Sequence, residues 1–193
     1  MTDQKGSNLH QIPTWTRRTA LVGGAAMLAG FMPAAPAIAK IGRVGVRRLG
    51  FVNLHTHEKI DVEYFADGNY ISDGVRALDR FMRDVRDGRR TRMDRDLYDL
   101  LFDLRVRMNT NEPFHLISGY RSPDTNAWLR SLGRGVAKRS LHMRGLAADI
   151  RLPGRDLRQV WRAARGMKRG GVGIYTRSNF IHVDTGRVRY WGS

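Results

Sequence analysis

The amino-acid sequence predicts an α+β fold in which helices flank a central antiparallel sheet. Two observations support this fold class. Helical patterns precede most of the strand patterns along the chain, so helices and strands are segregated rather than alternating. The short strand patterns are also separated by turns of only a few residues, which is typical of antiparallel hairpins. A chain of 193 residues is long enough for one domain with its own core.

The first elements are two strands and a helix. Segments 49–56 and 59–65 alternate apolar and polar residues, which predicts two strands joined by a tight turn. Asp67-Gly68-Asn69 predicts the next turn. Ser72 is then expected to cap a helix over 75–85, whose apolar residues fall on one face.

The middle of the chain predicts a second helix, a strand and a third helix. The second helix is expected to begin at Asp94 and to present a leucine-rich stripe to the core. A strand over 114–118 leads into a turn, and a helix is expected over 125–132. A basic loop follows at 133–140.

The C-terminal part predicts three strands and one helix. The strands are expected at 147–151, 172–175 and 180–184, and the last two are expected to pair as a hairpin. The helix is expected over 157–167.

The first 39 residues predict an export signal rather than part of the fold. Arg17-Arg18 precedes an apolar stretch over 20–32, and Ala37-Ile38-Ala39 is a small-x-small cleavage site. We therefore expect a twin-arginine signal peptide over 1–39, cleaved after Ala39, and a periplasmic protein. A general secretory signal that happens to contain two arginines, or an uncleaved anchor, are the alternatives.

The rest of the chain is expected to form a linker over 40–48 and one domain over 49–193. The sequence has no cysteine, which excludes disulfides and thiolate metal ligands. The net charge of +16 indicates an anionic partner. For an exported monomer this favours an anionic wall or membrane surface over nucleic acid; the alternative is that much of the arginine excess is a solvated face.

Two histidines and an aspartate predict a metal site. His142 and Asp149 lie in the segment Ser-Leu-His-Met-Arg-Gly-Leu-Ala-Ala-Asp at 140–149, and His182 lies in Phe-Ile-His-Val-Asp at 180–184. Imidazole nitrogen and carboxylate oxygen are ligands of Zn²⁺, and a catalytic zinc site has three protein ligands and one open position. No fourth histidine or cysteine lies near this segment, which favours an open catalytic site over a closed structural one.

The pattern Ser-x-His-x-x-Gly-x-Ala-x-Asp at 140–149 closely resembles the first motif of the zinc D-Ala-D-Ala peptidases, which belong to a superfamily that also includes lysostaphin-type peptidases and the hedgehog domain. Ser-Gly-Tyr-Arg-Ser-Pro at 118–123 and Gly-Gly-Val-Gly-Ile-Tyr at 170–175 resemble two further motifs of that family. The stretch 48–191 resembles the periplasmic murein endopeptidases of this superfamily. The resemblance implies the same α+β architecture, a zinc cofactor, and the peptide cross-links of peptidoglycan as substrate.

The chain departs from many of these peptidases at the general base. They place glutamate three residues before the last histidine or a second histidine two residues before it, whereas this chain has Asn179 and Phe180 there. Asp184 is the nearest substitute, because residues two apart on a strand share a face with each other. It is expected either to be the general base or to hold His182 in one tautomer.

Three further residues are expected to contact substrate. Arg121, in the turn after the 114–118 strand, offers a guanidinium that binds a carboxylate or carbonyl bidentately; a surface salt bridge is the alternative. Ser140 either contacts the ligand or substrate or caps its loop. Tyr175 either presents its hydroxyl to the cleft or packs in the core with an exposed tip.

The other histidines are expected to be structural. His55 and His57 have strand-type spacing beside Glu58, but they fall at a predicted turn and match no ligand set. His115 is expected to be a hydrogen-bonded core residue.

The leading function is therefore a zinc-dependent murein endopeptidase. A carboxypeptidase that trims terminal D-Ala is one alternative. A wall-binding module with a decayed peptidase site is another, suggested by the missing glutamate and histidine. The third is a basic exported protein that binds anionic polymer around a structural metal.

Overall fold

One eight-stranded sheet organises the fold of the computed structural model, which describes residues 45–133 and 135–192. The predicted signal peptide, its cleavage site and the first residues of the predicted linker lie outside the described residues. The strands are β1 Arg47–Asn53, β2 Lys59–Ala66, β3 Asn69–Tyr70, β4 Phe114–Ser118, β5 Ala147–Arg151, β6 Gly171–Tyr175, β7 Phe180–Asp184 and β8 Arg189–Trp191. Their order across the sheet is β3-β2-β1-β4-β5-β7-β6-β8.

The predicted antiparallel sheet is mostly confirmed. Five of the seven strand pairings are antiparallel, including the expected hairpin of β6 and β7. The β1–β4 and β6–β8 pairings are parallel, so the sheet is mixed. Two helices separate β1 and β2 from β4 in sequence, and such a long connection lets β4 enter beside β1 in the same direction.

Within the described residues, four α-helices and one short 3₁₀ helix accompany the sheet. Their bounds are α1 Ser72–Phe81, α2 Arg95–Arg107, α3 Pro123–Ser131, α4 Leu157–Met167 and the 3₁₀ helix Leu141–Arg144. Among the described residues, no helix has the length and apolarity needed to cross a bilayer.

The starts of α2 and α3 follow from their local sequences. Asp94 accepts a hydrogen bond from the Asp96 backbone N–H at 3.1 Å, which confirms the predicted start of α2. The α3 helix begins two residues earlier than predicted, because the Ser122 hydroxyl accepts the Thr125 N–H and proline occupies the first helical position.

The α1 helix differs more from its prediction. Ser72 is its first residue rather than its cap, and the helix ends at Phe81 instead of continuing to residue 85. The cause lies at Asp84, whose carboxylate accepts the backbone N–H groups of Arg86 and Ser122 and so holds the chain in a turn. β1 likewise begins at Arg47, inside the segment expected to be a linker.

The apolar core lies between one face of the sheet and helices α1, α2 and α4. These helices contact strands β1, β2, β6 and β7. The largest fully buried core side chains include Phe51, Tyr64, Leu78, Leu97, Tyr98, Leu101, Leu104, Phe114 and Ile150. The residues that alternate with the core positions on the central strands point to the opposite face, where the polar residues described below converge.

Candidate metal centre

Strand register places Asp149 and His182 side by side. Asp149 on β5 pairs directly with His182 on β7, so the two side chains lie on the same face of the sheet. Their neighbours Ile150 and Ile181 also pair, and they face the core. Successive residues of β5 and β7 therefore face the core and the candidate site in turn.

His142 reaches the same point from the 3₁₀ helix. That helix ends at Gly145, whose φ of 70° is unfavourable for other residues. A Cβ at this position would also lie 2.7 Å from the Arg92 carbonyl oxygen, so only glycine fits. The Gly145 turn directs the chain from His142 into β5.

The three predicted ligands converge on one point. His182 Nδ1 lies 2.9 Å from Asp149 Oδ1, and His142 Nε2 lies 3.1 Å from His182 Nδ1 and 3.3 Å from Asp149 Oδ1. All three residues are buried, and among the described residues they form the one histidine and carboxylate group with atoms close enough to share an ion. With metal–ligand bonds of about 2.0–2.1 Å, tetrahedral ligand atoms lie about 3.3 Å apart, so the residues fit a metal of zinc's size.

Each histidine is held through its other ring nitrogen. His142 Nδ1 donates to the Gly119 carbonyl oxygen at 2.7 Å, which leaves Nε2 facing the centre. His182 Nε2 donates to Asp184 Oδ2 at 2.9 Å, which leaves Nδ1 facing the centre. Both rings therefore direct their second nitrogen toward the same space, and in the neutral imidazole that nitrogen is the acceptor.

Asp184 lies behind His182 and is fully buried. Oδ1 accepts the backbone N–H groups of Gly171 and Gly186 at 3.0 and 2.8 Å, and Arg189 contacts both oxygens, at 3.1 and 2.7 Å. Burial alone would raise the pKa of Asp184, but hydrogen bonds from His182 and Arg189 hold it well below its usual range. The position supports the role of holding His182 and offers no free oxygen for the alternative role of general base.

The charges of the centre are strongly coupled. Burial would raise the pKa of Asp149, yet His142 and His182 hold that pKa well below its usual range. Burial would lower the pKa of His182, yet Asp149 and Asp184 raise it to about 9. Two carboxylates thus flank one imidazole in a buried space, an arrangement that attracts a cation.

Arg121 is a buried cation with few good partners. Its Nη1 lies 3.4 Å from Asn126 Oδ1, and its Nη2 lies 3.4 Å from Ser118 Oγ and 3.7 Å from Asp149 Oδ2. Its buried Nε has no hydrogen-bond partner among the described residues. Burial lowers the pKa of Arg121, although Asp149 opposes the shift. The guanidinium therefore has donors left for a ligand.

A cleft of about 370 Å³ opens over these residues. Its lining includes the metal-site residues and Arg121, Arg139, Ser140, Leu141, Tyr175, Phe180, Arg189 and Trp191.

Ser140 is buried there and makes no capping hydrogen bond to the 3₁₀ helix, so the loop-cap alternative is not supported. The Tyr175 ring stacks on Phe180 with 4.6 Å between ring centroids, and both residues line the cleft.

Sequence reasoning missed Arg189 and Trp191 on β8. Arg189 contacts both Asp184 oxygens, and the Trp191 ring lies 5.2 Å from the His182 ring. The two glycines within β6 could have indicated both residues, because a glycine inside a strand often marks the close approach of another group. A Cβ at Gly171 would collide with Arg189 and Asp184, and a Cβ at Gly173 would collide with the Trp191 ring.

The other described histidines, His55, His57 and His115, do not belong to this ligand group. His55 and His57 are exposed, His55 Nε2 lies 3.1 Å from the Ile117 carbonyl oxygen, and Glu58 pairs with Arg83. The expectation for His115 is wrong: the residue is partly exposed, and its buried Nδ1 has no hydrogen-bond partner among the described residues.

Comparison with known proteins identifies a peptidase family. Residues 42–191 match the peptidase M15_2 family model, described as peptidoglycan L,D-endopeptidase MepK. The chain is 43% identical over 175 residues to peptidoglycan L,D-endopeptidase MepK of Escherichia coli K12, covering 91% of this chain and 96% of that protein. It is 36% identical over 176 residues to the probable peptidoglycan L,D-endopeptidase MepK of Haemophilus influenzae, covering 91% and 94%.

Proposed function

This chain belongs to the peptidase M15_2 family, and from that membership we propose that it cleaves peptidoglycan cross-links as a zinc-dependent L,D-endopeptidase. The observation that supports the chemistry is the convergence of His142, Asp149 and His182 at the base of an open cleft. The family and the fold agree with the leading expectation from the sequence.

We propose that His142 Nε2, His182 Nδ1 and one oxygen of Asp149 hold the zinc ion. Three ligands without a fourth protein ligand in the described residues leave a position for water and substrate, as hydrolytic zinc sites require. Bound Zn²⁺ polarises a carbonyl and lowers the pKa of its water toward about 7. Gly119 and Asp184 keep the two imidazoles in the tautomers that this site needs.

Arg121 and Ser140 are proposed to bind the substrate beside the metal. The guanidinium of Arg121 is buried, has a free Nε, and faces Asp149 across the cleft floor. A buried cation of this kind gains most from an anionic or carbonyl oxygen that accepts two of its N–H groups. Stem-peptide carboxylates and carbonyls supply such oxygens. The buried Ser140 hydroxyl, next to His142, is available to the same substrate.

The decisive experiment treats cross-linked peptidoglycan with the protein and identifies the products by mass spectrometry. The zinc-loaded protein should convert L,D-cross-linked muropeptide dimers into monomers, and the chelator-treated protein should not. His182→Ala is the matched control that retains the fold but lacks one ligand. Unchanged dimers with a fully loaded protein would favour the wall-binding module, and release of terminal D-Ala alone would favour the carboxypeptidase.

We also propose that the protein works as a monomer in the periplasm, delivered by the twin-arginine route. The support is the Arg17-Arg18 pair, the apolar stretch and the Ala37-Ile38-Ala39 site, together with the location of the proposed substrate. Changing both arginines to lysine should leave the precursor in the cytoplasm. Normal periplasmic recovery of that variant would contradict the route while leaving the enzymatic proposal intact.

The basic surplus is proposed to retain the protein near the anionic wall or membrane surface. Binding to isolated wall should then weaken as salt is raised from about 0.05 to 0.5 M, because exposed charges are screened over a shorter distance. Salt-independent binding would contradict this proposal.

A further inference from the structure

The end of the domain completes one wall of the cleft through a hydrogen bond between Trp191 and Tyr175. Trp191 Nε1 donates to the Tyr175 hydroxyl oxygen at 3.0 Å. Trp191 pairs with Gly173 across β8 and β6, and Gly173 pairs with His182 across β6 and β7. Paired residues share a face, so the indole lies on the same face as the metal centre and bridges His182 and Tyr175.

This hydrogen bond sets the direction of the tyrosine proton. An indole N–H only donates, so the Tyr175 oxygen must be the acceptor. The phenolic O–H then points away from Trp191. No acceptor for it lies within residues 45–133 or 135–192, and Tyr175 is 41% exposed at the cleft. The phenol therefore keeps its proton available as a donor at the cleft lining.

The surrounding residues restrict the tyrosine ring and the indole. Phe180 stacks on the Tyr175 ring at 4.6 Å with an interplanar angle of 16°. Arg189 lies over the Trp191 ring at 5.0 Å, and Gly173 lets the indole lie directly on the backbone of β6. A donor held in this way loses little entropy when it binds substrate.

We infer that Tyr175 donates a hydrogen bond to the oxyanion that develops at the scissile carbonyl, and that Trp191 is the positioning residue that aims it. The inference rests on the proposed endopeptidase function. Arg121 also lines the cleft but is buried and charged, whereas Tyr175 is exposed and neutral, which suits an oxygen that becomes charged only in the transition state.

The test compares kcat and KM of the zinc-loaded protein on a purified L,D-cross-linked muropeptide dimer. Tyr175→Phe should lower kcat about 10²-fold, the usual effect of losing one oxyanion donor, with KM changed less than about threefold. Trp191→Phe removes the indole N–H and should lower kcat on the order of 10-fold. The double variant should be no slower than Tyr175→Phe, because both changes act through one hydroxyl.

Gly173→Ala gives an independent route to the same result, because its Cβ displaces the indole without changing its chemistry. It should resemble Trp191→Phe in kcat. Gly166→Ala is the matched control, since its Cβ would meet only the mobile end of Arg107 at 3.3 Å. Zinc stoichiometry and thermal unfolding of each variant separate lost positioning from lost metal or lost fold.

Wild-type turnover in Tyr175→Phe, or losses from Trp191→Phe and Tyr175→Phe that multiply in the double variant, would overturn the inference. So would a loss confined to KM. An inactive wild-type protein would instead contradict the proposed function, so the two failures are distinguishable.

Discussion

On strands β5 and β7 the core-facing side chains are apolar, whereas the opposite face carries Asp149, His182 and Asp184, which are also buried. On the core face Ile150 and Ile181 are fully buried, and on the opposite face Asp149 and His182 are only 7% and 8% exposed. The core face is stabilised by the removal of apolar area from water and needs no exact partners. On the polar face every buried group needs a hydrogen bond or a charge partner.

The difference shows how the chain keeps a charged site inside a small domain. His142, His182 and Asp184 each have a named partner for each polar atom, at distances from 2.7 to 3.3 Å. Arg121 differs, because its buried Nε has no hydrogen-bond partner among the described residues. A buried donor without a partner needs an explanation, and at the cleft we propose that the explanation is a substrate contact. Changes to the polar face should therefore alter chemistry, and changes to the core face should alter stability.

The largest effect should come from His182→Ala on the polar face. Loss of one of three proposed ligands should abolish stoichiometric zinc binding and lower kcat/KM at least about 10³-fold, because a catalytic metal supplies several kcal/mol. Metal content and turnover are measured on the same preparation. Retention of full zinc by the folded variant would show that His182 is not a ligand.

Ile181→Ala, one residue earlier on β7, should do the reverse. A large-to-small change at a fully buried position should lower the free energy of unfolding by about 2–5 kcal/mol. Urea unfolding measures this loss, and zinc stoichiometry of the folded protein should stay the same. Val188→Ala, at a side chain 50% exposed, is the matched control and should change stability by less than about 0.5 kcal/mol. Loss of zinc in Ile181→Ala would show that the two faces are not separable.

Asp184→Asn should have an intermediate effect, because this residue acts through His182. If Asp184 only holds the imidazole, zinc affinity should fall about 10–100-fold and added zinc should restore most of the turnover. If it is the general base, turnover should fall about 10²–10⁴-fold and added zinc should not restore it. Asp103→Asn, which removes an exposed ion pair with Arg169, should change neither quantity.

The difference between the two faces of the sheet also explains what the sequence could predict. Alternation along 147–151 and 180–184 predicted both strands at their observed bounds, because strand side chains alternate strictly. The residue types of His142, Asp149 and His182, together with the resemblance of 140–149 to the peptidase motif, predicted that they would converge. The three-residue strand β8 was missed, because a segment that short has no resolvable period and its pairing with β6 is set by tertiary contacts.

The role of Asp184 depended on geometry for a similar reason. Its spacing from His182 placed it on the correct face of the sheet. Its orientation toward the His182 ring depends on hydrogen bonds from Arg189, Gly171 and Gly186, which the sequence does not reveal. The parallel β1–β4 pairing also follows from where helices α1 and α2 return the chain, which local patterns do not encode.

The smallest predicted effect concerns Asp94, which links the core layer to the site face. One carboxylate oxygen caps α2 through the Asp96 N–H, and the other accepts the Thr185 hydroxyl at 2.6 Å, next to Asp184. The Asp94 N–H also donates to the Gly145 carbonyl oxygen at 2.9 Å, at the turn that leads from His142 into β5.

Asp94→Ala should lower the free energy of unfolding by about 0.5–2 kcal/mol, because it removes a helix cap and one side-chain acceptor. Thr185→Val removes only the second of these bonds and should cost about 0.5–1.5 kcal/mol. Urea unfolding of both single variants and of the double variant separates the free energy contributed by the helix cap from that contributed by the Thr185 hydrogen bond. Since the backbone bond to Gly145 remains, zinc affinity should stay within about threefold of wild type. A larger loss of zinc affinity in Asp94→Ala than in Thr185→Val would show that the cap of α2 itself holds the ligand-bearing turn, and the core and site faces would then be coupled through this residue.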